Sequence, residues 1–257
     1  MKRCWLTSLI KDQAAMKGLL EQLKRYGIET DGHFWTDDLE KMLWIAARDE
    51  ILKDEVGLWI IYGSNEALEP ASIRKGLALL VITVQAQKGT SFPIVGLWDG
   101  PLPETQALPT PLRGIEWLDA KNPALAAKLV AKLHAPARKE MPDYYLDVYG
   151  NPQIGMWFEA GPMDGEWKGA IFAVEGADIS FQAVGPRGML PSHATLNYPM
   201  QGVKLKMGEH EYTGWAVQNP ISEKESHFVK VTGPPDAIAF GELPEADEAE
   251  LFTIRLV

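Results

Sequence analysis

Side chains able to bind a nucleotide or a sugar occur directly after the hydrophobic segments of the first half of the chain. An indole ring such as that of Trp35 can stack on a base, hydroxyls can contact a ribose, and carboxylates can accept hydrogen bonds or stabilise positive charge. The same residues can instead have a purely structural role, because Ser64 is a good helix cap and Asp37 complements a helix dipole. The candidate site residues of this region are Ser8, Asp12, Trp35, Ser64, Glu66 and Asp99.

Several common catalytic patterns are absent from the sequence. Neither GxGxxG nor a glycine-rich loop ending in Lys-Ser/Thr is present, which disfavours ordinary dinucleotide-binding and P-loop enzymes. Gly63-Ser64 lacks the second glycine of a hydrolase nucleophile elbow. The 5 histidines are scattered, so no metal site is expected. The single cysteine, Cys4, permits no internal disulfide, and we expect it to be a small buried residue in a cytoplasmic protein.

Negative charge is concentrated in the second half of the chain. The 257 residues carry a net charge of −10. Residues 1–139 contain 18 Lys/Arg and 17 Asp/Glu, whereas residues 140–257 contain 7 and 18. This acidity makes nucleic acid an unlikely partner. No apolar run approaches the roughly 20 residues that cross a bilayer, and no signal peptide is expected at the N-terminus.

Strands and helices alternate in the first half. Short apolar runs predict five strands, including a buried strand at Val56–Tyr62 and a weak second strand at Ile28–Thr30. Asp12 is placed to cap the first helix, and Thr36–Ile51 has the spacing of a second amphipathic helix. This order predicts a parallel, five-stranded, doubly wound α/β sheet in a domain covering residues 1–138.

The second half has a different pattern. Eight short aromatic or β-branched segments, separated by Gly, Pro, Asn and Asp, predict an all-β barrel or sandwich in a smaller domain covering residues 142–257. Its aromatic residues suit either a carbohydrate- or peptide-binding platform or the core of the β fold. They include Trp157, Phe158, Trp167 and Trp215.

The order of motifs across residues 1–135 resembles a Toll/interleukin-1 receptor (TIR) domain, with the flavodoxin-like fold of that family. Trp5–Ser8 followed by Lys11-Asp12 is similar to the family's first strand and its Ser-x-x-Asp loop. Phe34–Leu39 resembles the loop before the second helix, and Leu58–Ser64 resembles the third strand. The fragments Pro93–Val95 and Trp117–Asp119 resemble the last two strands.

The resemblance implies one of two activities, which are cleavage of NAD and assembly with protein partners through the loop before the second helix. Some TIR domains cleave NAD at the nicotinamide–ribose bond, with a carboxylate early in the third helix that stabilises the ribosyl cation. That position corresponds to Arg74–Gly76 here, and residues 70–98 contain no Asp or Glu. The nearest acidic residues are Glu66 and Glu69, which would have to act from a shifted position.

Two main hypotheses follow. The first is a signalling or defence module that self-associates or binds a protein partner through the Phe34–Leu39 loop, with the β domain as sensor or regulator. The alternative is an NAD glycohydrolase in which Trp35 stacks on the ligand, Ser64 or Asp99 contacts the ribose, and Glu66 or Glu69 is the carboxylate. A phosphorylatable receiver is disfavoured, because the third strand ends in Tyr62–Ser64 rather than in an aspartate.

Overall fold

The computed structural model describes residues 2–136, 141–244 and 250–257. These residues form two compact units, one mainly from the chain before residue 137 and one mainly from the chain after residue 140. The predicted end of the first domain, residue 138, lies outside the described residues. No helix among the residues described is both long enough and apolar enough to cross a membrane.

The first unit is the predicted α/β fold with a parallel sheet. Its strands are β1 (Arg3–Ser8), β2 (Thr30–Phe34), β3 (Val56–Gly63), β4 (Ile94–Trp98) and β5 (Glu116–Asp119). Its helices are α1 (Gln13–Arg25), α2 (Arg48–Ile51), α3 (Asn65–Leu68), α4 (Ala71–Lys88) and α5 (Leu125–His134), with 3₁₀ turns at Leu43–Ile45 and Thr105–Ala107. A third 3₁₀ turn, Thr110–Leu112, begins in a short segment, Pro109–Pro111, that belongs to the second unit.

The five strands lie in the order β2-β1-β3-β4-β5, and every neighbouring pair is parallel. On one face, α1 and α5 pack against alternate strand residues such as Cys4, Leu58 and Leu97. Strand residues that alternate with these, including Trp59 and Ile61, point to the other face of the sheet and are also fully buried. Both faces of the sheet are therefore covered. Burial raises the pKa of the Cys4 thiol to about 12, as expected for a small residue of the core.

The predicted helix over Thr36–Ile51 is wrong. Residues 36–42 form loops and turns, and only the short Leu43–Ile45 and Arg48–Ile51 segments are helical. Met42 has φ 54°, a left-handed conformation that interrupts a right-handed helix. Asp37 does not cap this segment, because its carboxylate accepts a hydrogen bond from Ser72 Oγ at 2.5 Å.

The second strand begins where it was predicted to end. Helix α1 stops at Gly27, which has φ 74°. The backbone N–H groups of Gly27 and Ile28 donate to Lys24 O and Leu23 O, which is a Schellman motif. Ile28 and Leu23 are both buried in the core beside this helix end. Ile28 therefore closes the helix, and β2 starts at Thr30.

The second unit consists of antiparallel sheets. One has the order β10-β14-β7-β6, another the order β11-β12-β9-β15-β16, and β8 pairs with β13. The strands are β6 (Tyr144–Asn151), β7 (Gly155–Pro162), β8 (Glu166–Trp167), β9 (Ala170–Glu175), β10 (Asp178–Pro186), β11 (Met200–Met207), β12 (His210–Val217), β13 (Ile221–Ser222), β14 (Glu225–Thr232), β15 (Ala237–Glu242) and β16 (Phe252–Arg255).

The two larger sheets are layered as a sandwich. Phe158 of β7 and Phe172 of β9 have ring centroids 5.3 Å apart, and Gln182 of β10 donates to Ala216 O of β12. Of the aromatic residues considered for a binding platform, Phe158 and Trp167 are buried, whereas Trp157 is half-buried. Strand β15 was not expected from the sequence, yet it is buried between β9 and β16.

Candidate functional site

The carboxyl ends of the parallel strands form the edge at which a ligand would be expected. In this strand order β2 is added on one side of β1 and β3 on the other, and ligands of open α/β sheets bind at the point where the order reverses in this way. Ser8 ends β1 in register with Phe34 of β2 and Tyr62 of β3. The sequence-predicted site residues therefore lie along one edge of the sheet.

Ser8 and Trp35 belong to the packed interior at this edge. Ser8 is fully buried, and its hydroxyl donates to Ile10 O at 2.6 Å. Trp35 is 4% exposed, and its backbone N–H donates to Ser8 O at 2.7 Å. A Cβ atom at Gly76 would lie 2.9 Å from Trp35 Cζ2, so the indole packs directly on helix α4. In this conformation the ring has no open face on which a base can stack.

Asp12 and Ser64 cap helices. The Asp12 carboxylate accepts hydrogen bonds from the backbone N–H groups of Ala14 and Ala15 at 2.9 and 3.0 Å. Ser64 Oγ accepts one from Ala67 N–H at 3.3 Å. Both residues have the extended backbone typical of an N-cap. These contacts correspond to the structural interpretation of the sequence.

Asp99 is part of a charged cluster that the sequence alone did not indicate. Its carboxylate oxygen lies 2.9 Å from Lys121 Nζ, just beyond β5. Burial, and then the charges of Asp99 and Asp12, raise the pKa of the Tyr62 hydroxyl. The hydrogen bond to Asp99 is the main cause that raises the pKa of Lys121. The only sequence signal for Tyr62 and Lys121 is their place at the carboxyl ends of two strands of the same sheet, β3 and β5.

Glu66 and Glu69 lie together in a pocket of about 410 Å³ beside α3 and the start of α4. The two residues are one helical turn apart, which places them on the same side of the chain. Arg74 also lines the pocket, and its guanidinium donates to the backbone carbonyls of Leu68 and Glu69. The pocket is lined by Asn65, Glu66, Leu68, Glu69, Arg74, Pro103, Glu104, Ala107 and Leu108.

Asn65 fixes one wall of this pocket to the strand β4 edge. Its side-chain oxygen accepts a hydrogen bond from Trp98 Nε1 at 2.8 Å, and its amide nitrogen donates to Pro101 O at 3.1 Å. Trp98 is fully buried and packs edge-on against Trp117, with centroids 4.8 Å apart. The start of α3 is therefore held by a rigid aromatic pair.

The charge of the pocket favours a cationic group. Glu66, Glu69 and Glu104 contribute three carboxylates, opposed by the single guanidinium of Arg74. Such an arrangement can stabilise positive charge that develops on a ribose during glycosidic cleavage. It disfavours an anionic pyrophosphate at the same place.

The positions at which the TIR resemblance would place a catalytic carboxylate, Arg74–Gly76, include no acid. Arg74 is engaged with the end of α3, and Gly76 is covered by Trp35 and Trp44. Across residues 2–136, 141–244 and 250–257, no cluster of three or more His, Cys, Asp or Glu side chains is arranged to hold a metal ion.

The Phe34–Leu39 loop lies next to this edge of the sheet. Thr36 and Asp37 are exposed, and the hydrogen bond from Ser72 to Asp37 ties the loop to the first turn of α4. Asp38 O accepts a hydrogen bond from Leu43 N–H at 3.0 Å. The loop therefore exposes Thr36 and Asp37, while the buried Trp35 and these hydrogen bonds hold it to the rest of the fold.

Comparison with known proteins adds no assignment. No protein-family model matches the chain, and no curated protein matches it.

Proposed function

We propose that the first unit is a TIR-like assembly module of a signalling or defence protein. The module self-associates or binds a protein partner through the Phe34–Leu39 loop, and the β unit acts as its sensor or regulator. The parallel sheet with the order β2-β1-β3-β4-β5 supports this proposal, together with the motif order of the sequence.

The observation that carries the proposal is a contrast between two parts of the carboxyl edge of the sheet. Buried side chains fill the space between β1 and β3 where a ligand would bind, whereas part of the neighbouring loop is exposed. Ser8 and Trp35 close the crevice in which a nucleotide would lie. Thr36 and Asp37 face solvent in a loop already held by Ser72. A preorganised loop binds a partner with a smaller loss of conformational entropy, so this surface is better suited to protein contacts than the crevice is to a ligand.

Self-association is tested with Thr36→Arg, which places a bulky charge on the exposed loop without touching the core. We expect the average molar mass of the unaltered chain, measured by light scattering, to rise with concentration. The molar mass of Thr36→Arg should stay at the value of a monomer. Thr195→Arg, the same change at an exposed threonine of the second unit, should assemble normally. A chain that stays monomeric throughout contradicts self-association, as does equal loss of assembly in the two variants.

NAD hydrolysis is the second candidate, and the pocket that holds both Glu66 and Glu69 favours it. In this hypothesis one of the two carboxylates stabilises the ribosyl cation from α3 or its C-cap, at least five residues before Arg74–Gly76, where the resemblance places the carboxylate. The crevice residue Trp35 then has no stacking role unless it leaves the core.

The enzymatic hypothesis is tested by nicotinamide release from NAD, measured with dilute and with concentrated protein. Glu66→Gln and Glu69→Gln are the test variants, and Glu29→Gln, an exposed residue outside the pocket, is the control. Activity lost in a pocket variant and kept in the control establishes an enzyme and overturns the purely assembling module. Absence of nicotinamide at every concentration removes the enzymatic hypothesis.

A further inference from the structure

A second and larger pocket lies at the opposite, amino-terminal edge of the parallel sheet. Its volume is about 1080 Å³, slightly above the roughly 300–1,000 Å³ typical of small-molecule sites. The first residues of β3, β4 and β5 line it, together with the ends of α4 and α5. None of its lining residues belongs to the candidate site described above.

One side of this amino-edge pocket is apolar. Val56, Ile94 and Leu133 are almost fully buried and line it, and the ring of Phe92 adds an aromatic surface. Such a wall gains free energy when it is covered by the apolar body of a ligand, at about 25 cal/mol per Å² of apolar surface buried.

The other side carries an excess of cations. Four lysines line the pocket against the two carboxylates of Asp54 and Glu116. Lys132 forms an ion pair with Glu116. Lys88 donates to Lys53 O and Val56 O, both at 2.7 Å, and burial lowers its pKa.

Lys2 and Lys128 remain available to a ligand. Both are exposed, and within the part of the chain that the structure describes neither is paired with a carboxylate. The side chain of Lys2 is also held in place. Its aliphatic stem crosses β3 at Gly57, where the absence of a side chain leaves room for it. A Cβ atom there would lie 2.9 Å from Lys2 Cδ and 3.0 Å from Leu133 Cδ1. The stem packs on the pocket wall and leaves the ammonium at the rim.

The negative ends of two helices oppose this positive charge but do not cancel it. Helices α4 and α5 both end at the pocket, and a helix C-terminus is equivalent to about half a negative charge. Four ammonium groups still exceed the two carboxylates and the two helix ends. The pocket therefore joins an apolar wall to a positively charged rim.

We propose that the amino-edge pocket binds a small amphipathic anion, a molecule with an apolar body and one carboxylate, sulfonate or phosphate head group. The body covers Phe92, Ile94 and Leu133, and the head group lies between Lys2 and Lys128. This inference is independent of the assembly and NAD hypotheses, since it uses the other edge of the sheet.

The probe for this proposal is anilinonaphthalene sulfonate, whose fluorescence increases when its rings enter an apolar pocket. N-phenylnaphthylamine has the same rings without the sulfonate and serves as the uncharged match. Both are titrated into the full chain and into the double variant Lys2→Glu/Lys128→Glu. The control double variant Lys17→Glu/Lys24→Glu changes the net charge equally on the exposed surface of α1.

We expect the pocket variant to bind the sulfonate about tenfold more weakly, and the control variant to bind it within about twofold of the unaltered chain. The uncharged probe should not distinguish the variants. Lys2→Arg/Lys128→Arg keeps the charge and should retain binding. The proposal is overturned if sulfonate binding weakens equally in both glutamate variants or does not weaken in the pocket variant. It is also overturned if the arginine pair loses binding or if no saturable binding is seen.

Discussion

At the scale of single residues, Gly96 is a position where one added methyl group should be strongly destabilising. A Cβ atom there would lie 2.0 Å from Cε3 of Trp117, which packs against the buried Trp98. We expect Gly96→Ala to lower the free energy of unfolding by about 3 kcal/mol, because the indole must leave its position. Gly18→Ala is the control, since no atom lies within 4 Å of its Cβ and alanine is the better helix former. Urea denaturation followed by tryptophan fluorescence measures both, and equal stability of the two variants would contradict this account.

His227 should make the stability of the second unit depend on pH. It is fully buried, its Nε2 lies 2.9 Å from Gln182 Oε1, and burial lowers its pKa from 6.5 to about 3. Between these two values the unfolded chain binds a proton that the folded chain does not, so stability falls as pH falls. From pH 7 to pH 5 this amounts to about 2 kcal/mol.

The measurement compares the urea-unfolding free energy at the two pH values in His227→Gln and in the unaltered protein. We expect the variant to lose the histidine contribution to the pH dependence. His193→Gln, at an exposed histidine, should keep it. An unchanged pH dependence in His227→Gln would show that the buried imidazole takes up a proton in the folded state.

At the scale of elements, Asp12 tests whether an N-cap stabilises helix α1. Its carboxylate accepts hydrogen bonds at that helix start from the backbone N–H groups of Ala14 and Ala15. We expect Asp12→Ala to reduce the unfolding free energy by about 1 kcal/mol. Asp12→Asn keeps the accepting oxygen and should cost much less, as measured in the same denaturation experiment. Equal losses in the two variants would assign the effect to charge rather than to capping.

The elements that the sequence predicts well are those specified by local signals. The cap at Asp12, the stop at Gly27 and the apolar run of β3 each depend on neighbouring residues, and the structure has all three. The helix predicted after Thr36 fails because a contact 35 residues away, from Ser72 to Asp37, competes with local periodicity. The same reason applies to Trp35, whose burial depends on the missing side chain of Gly76.

The candidate pocket shows the same division between local and distant information. Glu66 and Glu69 could be named from the sequence, because both precede the helix in question and lie one turn apart. Their pocket neighbour Glu104 could not, since it comes from the loop after β4. Chemistry that depends on non-local neighbours is visible only when the chain is folded.

At the scale of the whole molecule, the distribution of charge decides how assembly should respond to salt. The net charge of −10 comes from residues 140–257, whereas residues 1–139 are nearly neutral, so copies that meet through the Phe34–Leu39 loop repel each other mainly through acidic residues of the contact itself, such as the exposed Asp37. Salt screens this repulsion over about 10 Å at 0.1 M, so self-association should strengthen between about 50 and 300 mM sodium chloride. A basic protein partner would show the opposite trend, because screening weakens attraction between unlike charges. Light scattering of the unaltered chain and of Asp37→Asn across this range separates the two. We expect Asp37→Asn to associate more strongly at low salt, and assembly that weakens with salt in both proteins would contradict contact between like-charged copies.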